Sequence, residues 1–303
     1  MRLRRRVATT WLLCLAAVAS TACTRTNGNT DRSPSLPKIV VDVQSDPVGR
    51  IRTRGTVIIG VKYDVPLFGL RDARTGRLTG FDIEMANIVA GELFPDDPHA
   101  EDRIQFVEAL SKSRERLLQD RTVDLVISTY TISDARKELV DFAGPYYIAG
   151  QDILASTQDV RSGRIRGVGD LNGKKVCSVR GSTSLTNLRK AAPGADSTLT
   201  FDKYSQCYDA LRSGRVVAIT TDDVILLGLR LADPDRFSIT GNPFHAEPYG
   251  IGVHKGETEL RDLVNMALSK AFVSGRWRAA FVDTIGATGQ VPPAPPKLDL
   301  PSG

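Results

Sequence analysis

Lys62 is the first residue that raises a chemical question. It closes the apolar part of TVIIGVKYD, residues 56–64, where β-branched and small apolar residues follow one another as in a strand buried on both faces. An ammonium group is costly to bury unpaired. Two readings follow. Lys62 lies past the strand end and snorkels into water, or the strand delivers it to a cleft that holds an anion. Metal chemistry has little support, because His99, His245 and His254 are scattered and no His/Cys cluster has ligand spacing. No metal or cofactor is expected.

The formal charge of +5 arises from 40 basic and 35 acidic residues. Arg2, Arg4, Arg5 and Arg6 crowd the first six positions, and setting those four aside leaves 36 basic against 35 acidic. No global basic field favours nucleic acid. MRLRRR followed by WLLCLAAVAS reads as an export signal, with an apolar core too short to span a bilayer comfortably. It runs into STAC, residues 20–23, which resembles a bacterial lipobox with Ser20 where Leu is usual. Removal of residues 1–22 and lipidation of Cys23 would anchor the chain to the extracytoplasmic face of the cell membrane. An ordinary signal cut after Ala22 is the other reading. Cys14 leaves with the signal and Cys23 takes the lipid. Cys177 and Cys207 remain as a pair in an exported protein, for which a disulfide is the default.

The elements that must position Lys62 alternate along the chain. Residues 23–50 are polar with Pro and Gly and read as a flexible tether. Residues 287–303 read as a disordered Pro-rich tail. Between them, TVIIGV is a strand, residues 82–93 a helix, RIQFVE a strand, SKSRERLLQD a helix with Ser111 as its N-cap candidate, and DLVIST a strand. A short helix capped by Ser133 follows. A second series begins with the strand KKVCSV and the helix TSLTNLRKAA. It continues with the helix YSQCYDALRSG, the strand VVAIT and the helix DDVILLGLRLA, and ends with the strand YGIGVH and a long helix. Alternation of this kind implies parallel sheets with helices on their faces, and two series suggest two α/β lobes.

At this level the motifs resemble a known family, the type II periplasmic solute-binding proteins of polar amino-acid ABC transporters. The resemblance rests on GVKYDVPLFGL (60–70), GFDIEMA (80–86), TYTISDARKELVDFAGPYY (129–147), GKKVCSVRGSTS (173–184), TTDDVILLG (220–228) and EPYGIGV (247–253), in the family's order. It is nearest to the glutamate/aspartate-binding lipoprotein branch. It implies two doubly wound lobes joined by a two-crossover hinge: lobe 1 from 51–147 plus 249–286, lobe 2 from 152–244, hinges near 148–151 and 245–248. Ligands of open α/β sheets sit at the C-terminal strand ends. Here that means an amino acid trapped between lobes, with a membrane permease reading the closed form. The implied protein is a monomer and no enzyme, since the motifs supply ligand-pairing charges and no general acid or base. An amino-acid sensor feeding a membrane signalling partner is the alternative.

The resemblance also implies a ligand set. Arg136, with Thr131 and Thr129 beside it, clamps the α-carboxylate through its planar fork. On lobe 2, Gly181, Ser182 and Thr183 sit between a strand and a helix, where Gly permits a tight turn and N–H groups favour an anion; Ser182 and Thr183 are expected donors. Asp222 pairs the α-ammonium, with Asp223 the cap. Lys62 and Arg114 (Arg116 being the competitor) meet a distal carboxylate. Tyr204 lines the lobe 2 wall, and Leu67 or Phe68 stacks on the ligand's stem. Lys62, Arg114 and Arg136 against Asp222 leave two positive charges. That surplus favours glutamate or aspartate over glutamine or asparagine, because buried cations without counter-charge are unfavourable. The Cys177–Cys207 bridge would staple a lobe 2 helix to its sheet, worth roughly 3 kcal/mol in the chain-entropy model.

Overall fold

The computed structural model describes residues 46–299. The expected signal peptide, Cys23 and most of the tether lie outside the described residues. The tether does not reach residue 50: α1 (Pro47–Arg54) is a helix, capped by the Asp46 carboxylate on Gly49 N and burying Pro47, Val48 and Ile51. Pro at the first helical position and an acidic N-cap are helix-start signals, outweighed in the sequence by the polar composition upstream.

The first series then runs β1 (Val57–Val61), β2 (Asp64–Val65), β3 (Gly69–Arg71), β4 (Leu78–Thr79), α2 (Phe81–Leu93), β5 (Ile104–Glu108), α3 (Arg114–Gln119), β6 (Leu125–Val126) and α4 (Asp134–Lys137). Strand β7 (Val140–Ser156) follows, 17 residues long. The second series is α5 (Thr157–Arg161), β8 (Val176–Cys177), α6 (Thr183–Ala191), α7 (Tyr204–Arg212), β9 (Ala218–Asp222), α8 (Asp223–Arg230) and β10 (Phe237–Ile239). The chain returns through β11 (His245–His254) to α9 (Thr258–Ser274) and α10 (Arg276–Asp283). Among the described residues no helix is long and apolar enough to cross a membrane.

One sheet threads both lobes in the order β5-β1-β6-β11-β7-β9-β8, with β10 also on β7. Strand β1 runs parallel to β5 and β6, and β8 parallel to β9. The two long strands are antiparallel, from His245 opposite Gln151 to His254 opposite Val140. The first part of β7 therefore belongs to lobe 1 and its last residues, paired to β9, to lobe 2. The expected crossovers, 148–151 and 245–248, face each other in a continuous two-stranded ribbon.

Lobe 1 packs α2, α9 and α10 on its sheet, with Phe68, Phe81, Tyr147, Tyr249, Trp277 and Phe281 forming an aromatic core. Such edge-to-face packing favours rigid burial. Phe68 belongs to this core, fully buried. In lobe 2, Cys177 on β8 and Cys207 on α7 form the expected disulfide. The Pro-rich tail is also more ordered than expected: Asp299 N donates to Gly144 O and Leu298 packs on the lobe 1 core. Pro excludes helix and central strand but not an extended segment lying on a surface.

The lobes meet. Lys112 of lobe 1 pairs with Asp202 of lobe 2 at 2.7 Å, and Ser205 N donates to Asp64 Oδ2 at 3.1 Å. Gly181 has φ +75°, and a Cβ there would stand 2.5 Å from Lys112 Cα. Only glycine allows this turn and this approach together.

Candidate functional site

The residues expected to meet a ligand begin just past the end of β1. Lys62 is 2% exposed, and its Nζ donates to Ser111 Oγ at 2.8 Å. The snorkelling reading therefore fails. Ser111 is not the N-cap of α3, a position taken by Ser113; its hydroxyl holds Lys62 instead. Burial, and then the neighbouring Arg114, lower the Lys62 ammonium to about 7.

Helix α3 opens on Arg114, also 2% exposed. Its guanidinium donates to Ser111 O at 3.3 Å and to Ser128 O and Thr129 O at 3.0 Å, and lies 4.4 Å from the Tyr130 ring. Arg116 points outward, its side chain 83% exposed and paired with Asp120. Of the two candidates, Arg114 is the inward one.

Arg136, on α4, stacks on the same Tyr130 ring at 5.0 Å. It donates to Glu115 Oε1 at 3.0 Å, to Thr131 O at 2.7 Å and across the lobes to Gly181 O at 3.1 Å. Burial and Arg114 lower it to about 10. Thr129 serves through its main chain: its φ is +42°, its N–H donates to Asp82 Oδ2 at 2.9 Å and its carbonyl accepts from Arg114.

On lobe 2, Ser182 caps α6, accepting from Leu185 N at 3.0 Å and donating to Val179 O at 2.8 Å. Its side chain is thereby committed to the helix start. The Thr183 hydroxyl donates to Glu247 and faces Thr131 Oγ1 across the lobes at 3.3 Å. Asp222 stands at the start of α8 but makes no capping bond. Its oxygens accept from Tyr249 Oη and from Ser184 Oγ, while Asp223 accepts from Val224 N and Gly150 N. Burial, then Glu247, push the Asp222 carboxyl well above the usual carboxylate range. Tyr204 lies fully inside, its Oη 2.6 Å from Thr221 Oγ1. Arg180 turns away, to Asp202.

Two buried carboxylates escaped the sequence reading. Asp82, at the start of α2, is fully buried and accepts from Tyr146 Oη and Thr129 N; burial raises it to about 6, against the pull of Lys62 and Arg114. Glu247, on β11, is also fully buried. With Glu115 on Arg136, these groups remove the surplus of two positive charges on which the acidic-ligand expectation rested. A signal for Asp82 was present: the helix FDIEMANIVAGEL has no basic residue to pair with it.

A groove of about 630 Å³ opens between the lobes, lined by Thr131, Arg136, Gly181, Thr183, Asn187 and His245 among others. Another of about 610 Å³, beside the Leu93–Pro98 turn, is lined by Arg52, Asp96, Asp97 and Arg103, the last two paired with each other.

Two α/β lobes joined by two long strands, with buried charged groups facing each other across the join, define the class of two-lobed binding proteins. Residues 57–283 match the model of the bacterial extracellular solute-binding proteins, family 3, and the chain belongs to that family. It is 37% identical over 264 residues to the ABC transporter glutamine-binding protein GlnH of Bacillus subtilis, covering 86% of this chain and 90% of the relative. It is 34% identical to the glutamate-binding protein GluB of Corynebacterium efficiens, covering 78% and 81%. Among solved structures, the solute receptor for L-cysteine of Neisseria gonorrhoeae superimposes with a TM-score of 0.73 at 29% identity, covering 80% of this chain and 94% of that one.

Proposed function

We propose that this protein captures glutamate between its lobes and presents it, closed, to an ABC importer; aspartate is the shorter competitor. One observation carries the choice of ligand. Lys62 and Arg114 are buried neighbours on lobe 1, each 2% exposed, and in their charged forms both can only donate. Lys62 Nζ has Ser111 as its hydrogen-bond partner, and Arg114 Nη2 has none among the described residues. A side-chain carboxylate answers such a pair with acceptors on both oxygens, whereas an amide turns its NH2 toward a donor. In this reading Arg136 takes the α-carboxylate and Asp222 the α-ammonium, each pair charge-assisted.

Glutamine is the second reading. Asp82 lies beside both cations, where its carboxylate can accept from an amide, and the GlnH relative is named for glutamine. Calorimetry of the chain from residue 24 onward, keeping α1 and the tail, against glutamate, aspartate, glutamine, asparagine and arginine decides. Glutamate should bind at least about tenfold tighter than glutamine, a gap of about 1.4 kcal/mol; equal or tighter glutamine binding transfers the assignment to the amide. We place the mature protein on the extracytoplasmic face of the membrane through a lipid on Cys23, which mass spectrometry of the membrane-extracted N-terminal peptide tests.

A further inference from the structure

Glu247 carries a fully buried carboxylate on the hinge ribbon, opposite Ala149 of β7. Its neighbours fix which way the amide and hydroxyl protons point, and His245 Nδ1, 3.0 Å from Oε1, adds a contact whose direction follows the imidazole tautomer. Ser184 O can only accept, and Thr220 Oγ1 already donates to Asp152 O at 2.8 Å. Gln151 Nε2 must therefore be the group that donates to both, at 2.9 and 3.1 Å. Its Oε1 then accepts from Asn187 Nδ2 at 3.0 Å, and the second N–H of that amide reaches Glu247 Oε1 at 2.9 Å. The other carboxylate oxygen, Oε2, lies 2.7 Å from Thr183 Oγ1. A hydroxyl has one proton, and the Thr183 proton points at the carboxylate. Thr131 Oγ1, 3.3 Å away on lobe 1, is then the donor to Thr183. The chain of donation runs from lobe 1 to lobe 2 to the hinge strand.

We infer that Glu247 is a positioning residue for the ligand: by accepting from the Thr183 hydroxyl, it leaves the Thr183 oxygen facing the crevice as an acceptor for an N–H of the bound amino acid. This reverses the expected role of Thr183 as a donor to the ligand's carboxylate. It extends the ammonium seat from Asp222, through Ser184 on its Oδ1 at 3.2 Å, to the preceding residue of α6, Thr183. It rests on the reading that this crevice holds an amino acid. The neutral isostere changes the polarity. In Glu247→Gln the single amide oxygen stays with Asn187, the amide NH2 faces Thr183, and the Thr183 proton swings into the crevice.

The test is calorimetry on the same chain from residue 24 onward, with glutamate, or with glutamine if wild type prefers it. Glu247→Gln should weaken binding about 10- to 100-fold and Thr183→Val about tenfold, the range for hydrogen bonds to charged groups. Thr183→Ser, which keeps the hydroxyl, should stay within about threefold of wild type. Because Glu247 acts through Thr183, the double variant should be no more than about threefold weaker than Glu247→Gln alone. Losses that multiply, or a Glu247→Gln affinity within about threefold of wild type, overturn the inference. If Glu247→Gln does not fold, the Thr183→Val and Thr183→Ser pair still decides: unchanged binding in Thr183→Val, or no rescue by Ser, overturns it. A wild type that binds no amino acid removes the functional reading itself, which is a different failure.

Discussion

The cations of lobe 1 and the carboxylates that face them differ in what holds them. On lobe 1, Lys62, Arg114 and Arg136 supply the cations, with Asp82 and Glu115 beside them, and both arginines are gripped by main-chain carbonyls and share the Tyr130 ring. Carbonyls of a folded backbone do not rotate, so these donors stay aimed whatever the ligand does. On the opposite wall, Asp222 and Glu247 present carboxylates held by side-chain groups: Tyr249, Ser184, Thr183 and Asn187. Hydroxyls turn at little cost. The cationic wall is preorganised, which favours affinity, and the carboxylate wall can readjust as the lobes close. In the proposed reading an amino acid spans the two, its α-carboxylate on Arg136 and its α-ammonium on Asp222.

Removing the carboxylate wall's charge should have the largest effect, in opposite directions on binding and on stability. Asp222→Asn should weaken amino-acid binding about 100-fold or more, the consequence of leaving a buried ammonium without its partner. The free protein should become more stable. The Asp222 carboxyl is raised in the folded state by burial and Glu247, so the folded form binds more protons than the unfolded one between the ordinary carboxylate range and neutrality. Stability is then lost as pH rises through that window. Asp82, raised to about 6 by burial, acts in the same sense. Thermal melts from pH 4.5 to 6.5, below the range in which the folded protein releases the Lys62 proton and stability is pulled the other way, should show Tm falling with pH in the ligand-free wild type and a shallower fall in Asp222→Asn. An Asp222→Asn variant that binds normally would strip this wall of its role.

The cationic wall is broken more gently, through selectivity. Lys62→Met should weaken glutamate about 10- to 50-fold and glutamine by less than about threefold, as expected for one charge-assisted hydrogen bond. Lys62 titrates near 7 in the free protein. A bound side-chain carboxylate holds its proton on, so glutamate binding takes up a proton above that pH. The preference for glutamate over glutamine should therefore shrink as pH rises from 6 to 8.5, by at most about tenfold per unit. Asp222 affects both ligands alike and cancels in the ratio. Calorimetry at four pH values checks it; a ratio that ignores pH, or that responds equally in Lys62→Met, separates Lys62 from the ligand's side chain.

The cationic wall was also the more legible of the two. A cation at the end of a buried strand is a local pattern, but its placement in the cleft, like the choice of Arg114, came from the family resemblance. The carboxylates were hidden because what buries them comes from far along the chain: Asp82 is held by Tyr146 and Thr129, and Glu247 by Thr183 and Asn187. Asp82 reads locally as a helix-start acid and Glu247 as a strand residue beside Pro248. The alternation of strands and helices gave the α/β class, but not the 17-residue β7, whose middle the family resemblance marked as a hinge crossover. The docked tail escaped for the converse reason: its composition predicts no regular structure, and contact with Gly144 and the lobe 1 core depends on neither helix nor strand.

The smallest effect belongs to the rim, where the walls meet solvent. Asp202 of lobe 2 accepts from Lys112 of lobe 1 and from Arg180 of its own lobe, both at 2.7 Å. Only the first pair spans the crevice, and both cations are about half exposed. Exposed pairs of this kind contribute about 0–1 kcal/mol. Asp202→Asn should therefore weaken binding only about two- to fivefold, by destabilising the closed form without touching the ligand. The loss should lie in faster ligand release, since the pair forms after the lobes meet. Raising the salt to about 1 M shrinks the Debye length to about 3 Å, so wild type and Asp202→Asn should converge there in stopped-flow release rates. The buried walls, screened far less, should keep Asp222→Asn and Lys62→Met apart from wild type at the same salt. If Asp202→Asn instead shifted selectivity between glutamate and glutamine, the division between a rim that closes and walls that choose would be lost.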